Sequence, residues 1–156
     1  MKHLIVGGVA GGATAAARIR RADEYAEIVM FEKGNYISYA NCGLPYYIGG
    51  VINERDKLFL QTPQSFGKRF AVDVRVKSEV VKIDPKLKQV TVRTSNNEVY
   101  VESYDKLLLS PGAFPVRPAL PGIEAEGIFT LRNVADTDAI KEYVNTHKVR
   151  NAELVS

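Results

Sequence analysis

The chain holds one cysteine in 156 residues. No internal disulfide can form, and a disulfide-stapled scaffold is excluded. Histidine is nearly as scarce: His3 and His147 are the two present, far apart and outside any ligand-spaced cluster, so no metal site is expected. No apolar run approaches the ~20 residues of a membrane-spanning helix. Charge of one sign is lacking too. The 21 basic and 18 acidic residues leave a net +3, and there is no long basic run of the kind that meets nucleic acid. No export leader precedes His3-Leu4-Ile5-Val6-Gly7; together with the lone cysteine this predicts a cytoplasmic protein. Repeats and low-complexity tracts are absent. What remains is 46% hydrophobic and 25% charged, the composition of one globular domain long enough to bury a core.

Leu4-Ile5-Val6 is a short apolar run ended by Gly7-Gly8, which predicts a buried parallel strand. Gly11-Gly12 then opens an alanine-rich helix, with small residues to lie close against a sheet. Glu27 to Glu32 is a second strand. Strand, glycine turn, helix and strand in about 30 residues make a βαβ unit. A short helix is expected from Cys42 through Leu44, Tyr46, Tyr47 and Ile48, closed by Gly49-Gly50. Thr62-Pro63 is a helix start, a capping hydroxyl followed by proline, and the helix runs to about Arg69. Four stretches alternate with period two: Val72–Val76, Val80–Ile83, Val90–Val92 and Val99–Val101. Polar turns between them predict an antiparallel meander inserted in an α/β frame. Leu107-Leu108-Leu109 returns to the parallel style and ends at Ser110-Pro111-Gly112. A proline-rich stretch follows, then a short strand at Gly127–Leu131 and a helix from Val134 to Lys148 with Ala135, Ala139, Ile140, Tyr143 and Val144 as its apolar face.

Four features carry chemistry. The first is the loop Gly7-Gly8-Val9-Ala10-Gly11-Gly12. A dinucleotide fingerprint wants glycine at its first, third and sixth places; Gly7 and Gly12 fit, and Val9 holds the middle one. The loop follows a strand and opens a helix, whose N-terminus favours a pyrophosphate. Glu32 ends the next strand, where an acid would take ribose hydroxyls. A glycine-rich turn without any ligand is the plain alternative. The second is the arginine group Arg18, Arg20 and Arg21, either a solvated helix face or an anion site using Arg18 and Arg21 on one side. The third is Cys42. A lone cysteine is most often a small buried hydrophobe. Here it follows Asn41 and precedes Gly43 at an expected helix start, where free N–H groups and the helix dipole favour thiolate. The Ser110–Gly112 turn is a place for backbone to press on a ligand, or simply a strand end.

The glycine loop, Glu32, the segment Ser38-Tyr39-Ala40-Asn41-Cys42-Gly43-Leu44-Pro45 with Tyr46-Tyr47, and Ser110-Pro111-Gly112 occur in the order seen in FAD-dependent pyridine nucleotide-disulfide oxidoreductases. More narrowly, the chain resembles the coenzyme A-disulfide reductase branch, which includes polysulfide reductases and rhodanese fusions. That branch uses a single cysteine in a Ser-x-x-x-Cys-x-x-Pro frame, matched by Ser38, Cys42 and Pro45, and accepts valine in the glycine loop. The resemblance implies a Rossmann-like FAD-binding domain over residues 1–148. It implies that Gly7, Gly8, Val9, Ala10, Gly11, Gly12, Glu32 and Lys33 hold the ADP half of FAD. Val80 then offers its backbone to the adenine, and Ser110 and Gly112 line the pyrophosphate side. Thr14, Arg18, Arg21, Ser38 and Asn41 sit where the family binds coenzyme A. The family's basic residue near position 70 is Phe70 here, with Arg69 or Lys68 as the substitute. Cys42 is the implied redox residue, forming a mixed disulfide with coenzyme A that a nicotinamide-reduced flavin resolves.

The family's second nucleotide fingerprint, second FAD segment and dimerisation domain are not in the sequence, and residues 149–156 diverge from it. The expectation is therefore a fragment that does not oxidise NAD(P)H by itself, from a family whose members are homodimers. Two other readings stand beside this one. One is an NADH oxidase or peroxidase cycling Cys42 through sulfenic acid; the peroxidase branch carries a histidine in the glycine loop, where this chain has Ala10. The other is a non-catalytic module that only binds FAD or another nucleotide.

Overall fold

The computed structural model describes residues 1–153, so part of the divergent 149–156 segment lies outside the described residues. In chain order the elements are β1 (Lys2–Val6), α1 (Ala10–Ala22), β2 (Glu27–Phe31), α2 (Leu44–Ile48), α3 (Pro63–Phe70), β3 (Asp73–Arg75), β4 (Ser78–Asp84), β5 (Gln89–Thr94), β6 (Val99–Ser103), β7 (Lys106–Leu109) and α4 (Val134–Thr146). They fall into two compact units: Met1–Tyr39 with Phe59–Gly112, and Ala40–Leu58 with Ala113–Ser156.

The first unit is an α/β frame. Its sheet has the order β3-β2-β1-β7, and every pair in it is parallel. A second sheet, β4-β5-β6, is antiparallel. The apolar runs of β1 and β2 are continuous because both faces of the parallel sheet are covered. Ile5, Ile28 and Met30 pack with Ala13 and Ala16 of α1 and Phe66 of α3. The alternate residues Leu4, Val29 and Phe31 pack with Val90 and Val92 of β5. Helices, parallel sheet and meander are thus three layers around two apolar seams.

One strand departs from expectation. Val72–Val76 does not belong to the meander: β3 pairs parallel with β2, setting Met30 beside Val74. Alternation shows that a strand has two unlike faces and says nothing of which sheet it joins. Here α3 supplies the crossover that a parallel neighbour needs. Its start is as expected, a reciprocal cap in which the Ser65 N–H donates to Thr62 Oγ1 at 3.1 Å and the Thr62 N–H to Ser65 Oγ at 3.0 Å.

The second unit holds α2 and α4. Gly127–Leu131 forms no strand; instead Phe129 packs edge-on against Tyr143 with ring centroids 5.1 Å apart. The face of α4 keeps part of the apolar pattern, with Ile140, Tyr143 and Val144 half-buried. Val134 and Thr137 are its buried residues, while Ala135 and Ala139 are exposed. Asp138 and Lys141 carry its polar contacts. Among the described residues, no helix is long and apolar enough to cross a membrane, and no cluster of acidic, His or Cys side chains could hold a metal ion.

Candidate functional site

In the first unit the site begins where β1 stops. Gly7 turns the chain at φ +96°, and a Cβ there would lie 2.0 Å from the Ser110 carbonyl oxygen. A Cβ on Gly12 would lie 1.7 Å from the Gly7 carbonyl oxygen. These are the two jobs the outer glycines of a dinucleotide loop perform: the tight turn and the close approach of helix to strand. Gly8 is nearly as confined, its Cβ position 2.6 Å from Ile37 Cγ2. Ser110 closes the other side: its N–H donates to the Val6 carbonyl at 2.8 Å and its hydroxyl to the same oxygen at 2.9 Å. Gly112 follows at φ +74°. Helix α1 starts one residue before the expected Gly11, at Ala10. Val9 stands at its N-cap with no side-chain cap, and its first turn has no acidic residue. Backbone N–H groups there are left for an anion.

Glu32 braces this loop. Its Oε2 accepts the Gly8 N–H at 2.9 Å and its Oε1 the Gly34 N–H at 2.7 Å. Two bonds leave half of a carboxylate's acceptor positions for ligand hydroxyls. Lys33 is exposed beside it and lines an open depression of about 400 Å³ with Lys77, Glu79, Arg93 and Thr94 among others. Arg93 pairs with Glu79 at 2.8 Å. The buried Thr94 hydroxyl has no hydrogen-bond partner among the described residues, and an orphaned buried hydroxyl is uncommon enough to need a reason. Val80 sits where the β4–β5 ladder slips: it pairs with Val92, and the next pair is Lys82 with Thr91. Such a bulge re-aims backbone. Thr94 and the slip have no sequence motif and were not anticipated.

Thr14, Arg18 and Arg21 are all exposed and fall on one side of α1, spaced by four and three residues. Arg20 has another task. Its guanidinium donates to the carbonyls of Ala26 (2.7 Å), Phe70 (2.8 Å) and Ala71 (2.8 Å), tying the end of α1 to the end of α3. Of the three arginines, one is structural and two face solvent. The Phe70 ring lies tilted against Phe66 with centroids 4.7 Å apart, so position 70 is part of the apolar packing, while the neighbouring Arg69 is exposed. Ser38 has φ +49°. Its N–H donates to the Gly8 carbonyl at 3.1 Å and its carbonyl accepts the Leu60 N–H at 3.0 Å.

In the second unit Cys42 is exposed, which removes the buried-hydrophobe reading. It is not in an α-helix. Asn41–Gly43 is a 3-10 turn, and α2 begins two residues later. The Gly43 N–H closes the turn on the Ala40 carbonyl at 2.9 Å. Gly43 itself is buried, with no easy space for a Cβ between Ala40, Leu58 and Ile52. Three cationic side chains hold this region, and apolar periodicity gave no sign of them. Arg132 donates to Asn41 Oδ1 at 3.5 Å and to the Ala113 carbonyl at 2.9 Å. Arg55 makes a two-pronged pair with Asp138 at 2.8 and 2.6 Å. Lys141 donates to the Tyr47 carbonyl at 2.7 Å, and its ammonium lies 4.6 Å from the Tyr47 ring centroid.

The sequence profile of the family described as Pyridine nucleotide-disulphide oxidoreductase matches residues 1–150. A coenzyme A disulfide reductase of Staphylococcus haemolyticus is 45% identical over 155 residues, which is 99% of this chain and 34% of that protein. The chain thus spans about a third of the length of that curated relative. The crystal structure of reduced Bacillus anthracis CoADR-RHD superposes with a TM-score of 0.91 at 59% identity, covering 94% of this chain and 27% of that one. An NAD-dependent persulfide reductase from A. fulgidus gives a TM-score of 0.87 at 37% identity, over 94% of this chain and 27% of that one.

Proposed function

The chain belongs to the pyridine nucleotide-disulphide oxidoreductase family, and from that premise we propose that it is the flavin-binding, thiol-bearing part of an enzyme that reduces coenzyme A disulfide with NAD(P)H through Cys42. The observation that carries this reading is Cys42 itself. It is the chain's only cysteine, and it is exposed. It lies in a tight turn within the Ser38–Pro45 frame. The Cys42 thiolate attacks one sulfur of the disulfide, the S–S bond breaks, and one coenzyme A leaves as thiolate. The one electron pair from NAD(P)H then splits the Cys42–coenzyme A disulfide, releasing the second coenzyme A thiol and returning the Cys42 thiolate. The balance is one disulfide, one NAD(P)H and one proton in, two thiols and NAD(P)⁺ out.

Bound FAD supplies the two-electron relay between the nicotinamide and that mixed disulfide. The residues present fit the group. In the loop Gly7 to Gly12 the Gly7 and Gly8 N–H groups are bonded to Phe31 and Glu32. The first turn of α1 from Ala10 has no side-chain cap and leaves helical N–H groups for a pyrophosphate, and Glu32 has acceptor positions left for ribose hydroxyls. Lys33, Val80, Ser110 and Gly112 complete the assignment, and the orphaned Thr94 hydroxyl fits the polar edge of a nucleotide. For coenzyme A we assign Thr14, Arg18, Arg21, Ser38, Asn41 and Arg69, the arginines pairing with its phosphates. A cytoplasmic homodimer goes with this reading, since a lone reduced cysteine suits a reducing compartment.

The test is turnover by a protein that carries this chain at the full length of its curated relative. NAD(P)H oxidation should depend on added coenzyme A disulfide and fall at least about 100-fold in Cys42→Ser. A second substrate, coenzyme A persulfide, is suggested by the similarity to the persulfide reductase; it enters at the same sulfur. NAD(P)H oxidation that needs only oxygen or peroxide, with sulfenate trapped at Cys42, would move the protein to the oxidase or peroxidase class.

A further inference from the structure

We infer that Lys141 is a positioning residue for Cys42, acting through α2 from the side of α4. The inference rests on the role proposed above for Cys42. Helix α2 has five residues and no side-chain cap at its N-terminus. A helix that short does not hold itself in water. It follows the Cys42 turn directly, because the Leu44 N–H donates to the Asn41 carbonyl. Whatever fixes the far end of α2 therefore fixes the direction in which Cys42 presents its sulfur.

That far end is held by α4. Lys141, half-buried, donates to the Tyr47 carbonyl at 2.7 Å and lies over the Tyr47 ring. This is a charge-assisted bond at the negative end of a helix, with a cation–π contact added. One turn earlier on α4, Asp138 takes both prongs of Arg55, just after α2 in the chain. Arg132 reaches Asn41, the residue before Cys42. Lys141 makes none of its described polar contacts with Cys42 or with a residue assigned to coenzyme A. Tyr47 lies five residues along the turn and helix from Cys42, so about 7–10 Å of rise separates the clamp from the sulfur. Its effect on the reaction is transmitted by α2.

The lone cysteine makes the test clean, since every thiol signal comes from position 42. The purified chain is reacted with coenzyme A disulfide and, separately, with 2-hydroxyethyl disulfide. The ratio of the two rate constants is compared in wild type, Lys141→Met and Lys141→Arg. A general loss of stability enlarges the unfolded fraction, in which both reagents meet the thiol alike and the ratio falls toward one. The ratio is therefore read only under conditions where circular dichroism and urea unfolding show each variant fully folded. The inference expects Lys141→Met to lower the ratio about fivefold or more, and Lys141→Arg, which keeps the donor and the charge, to restore most of it. An unchanged ratio in Lys141→Met overturns the inference, as does an equal fall in both variants. If Lys141→Met does not fold, Arg55→Lys decides instead. It breaks the forked pair with Asp138 while keeping the charge; a lowered ratio supports the clamp and an unchanged one overturns it. A wild-type ratio near one overturns the coenzyme A reading and this inference together. A wild-type preference that survives the substitutions overturns the inference alone.

Discussion

Gly12 and Gly50 are glycines for opposite reasons. Gly12 has ordinary helical backbone but no room, its Cβ position lying 1.7 Å from the Gly7 carbonyl. Gly50 has room, with nothing within 4 Å, but sits at φ +80°. Alanine at Gly50 should cost about 1 kcal/mol, the left-handed penalty alone. Alanine at Gly12 should cost about 3 kcal/mol or more, because α1 must move off the loop. Urea unfolding of the two variants measures the difference. Thr94 gives a prediction of the other sign. Its buried hydroxyl has no partner among the described residues, so Thr94→Val should leave the ligand-free chain as stable or more so, by up to about 1 kcal/mol. If that hydroxyl meets the nucleotide as proposed, the same change weakens FAD binding. Melting temperatures with and without FAD read both effects.

Helix α3 shows what local chemistry can fix. Thr62 and Ser65 exchange bonds at its start, and Thr62→Ala should lower stability by about 1 kcal/mol, measured as a shift of the urea midpoint at constant slope. That cap was legible in the sequence because all its partners lie within four residues. The glycine turn, the βαβ unit and the meander's three strands were legible for the same reason: glycine position and period-two alternation are local. What depended on distant partners was not. Val72–Val76 alternates like the meander yet joins β2. The expected apolar face of α4 holds in part: Ile140, Tyr143 and Val144 are half-buried, but Ala135 and Ala139 are exposed, and Asp138 and Lys141 add polar contacts that leave no trace in apolar periodicity. The residues Arg55, Asp138, Arg132 and Lys141 around the Cys42 segment were missed for that reason. Cys42 stands out in the sequence because cysteine occurs once, but nothing local distinguishes its 3-10 turn from the start of a helix.

Across the first unit as a whole, Lys2 on β1, Arg75 on β3 and Glu102 on β6 tie the parallel sheet to the meander. Lys2 and Arg75 each lie 2.6 Å from Glu102. Burial opposes the Glu102 charge, but hydrogen bonds from Lys2 and Arg75 and their positive charges outweigh it and hold its carboxyl below the ordinary 4.5. A depressed carboxyl stabilises the fold above its unfolded value. That contribution is lost as pH falls from about 4.5 through the folded value. Stability should therefore decline with acid across that window, and Glu102→Gln should decline less steeply while being less stable at pH 7. Urea titrations between pH 3 and 7 test this.

The central claim is that this chain, about a third of the length of its curated relative, carries the thiol that captures coenzyme A. The direct measurement offers the purified chain coenzyme A disulfide and 2-hydroxyethyl disulfide at equal concentration, then reads intact mass and maps the adduct. The account predicts a coenzyme A adduct on Cys42 in at least about tenfold excess over the small adduct. Equal labelling by the two reagents, or no coenzyme A adduct at all, would contradict it.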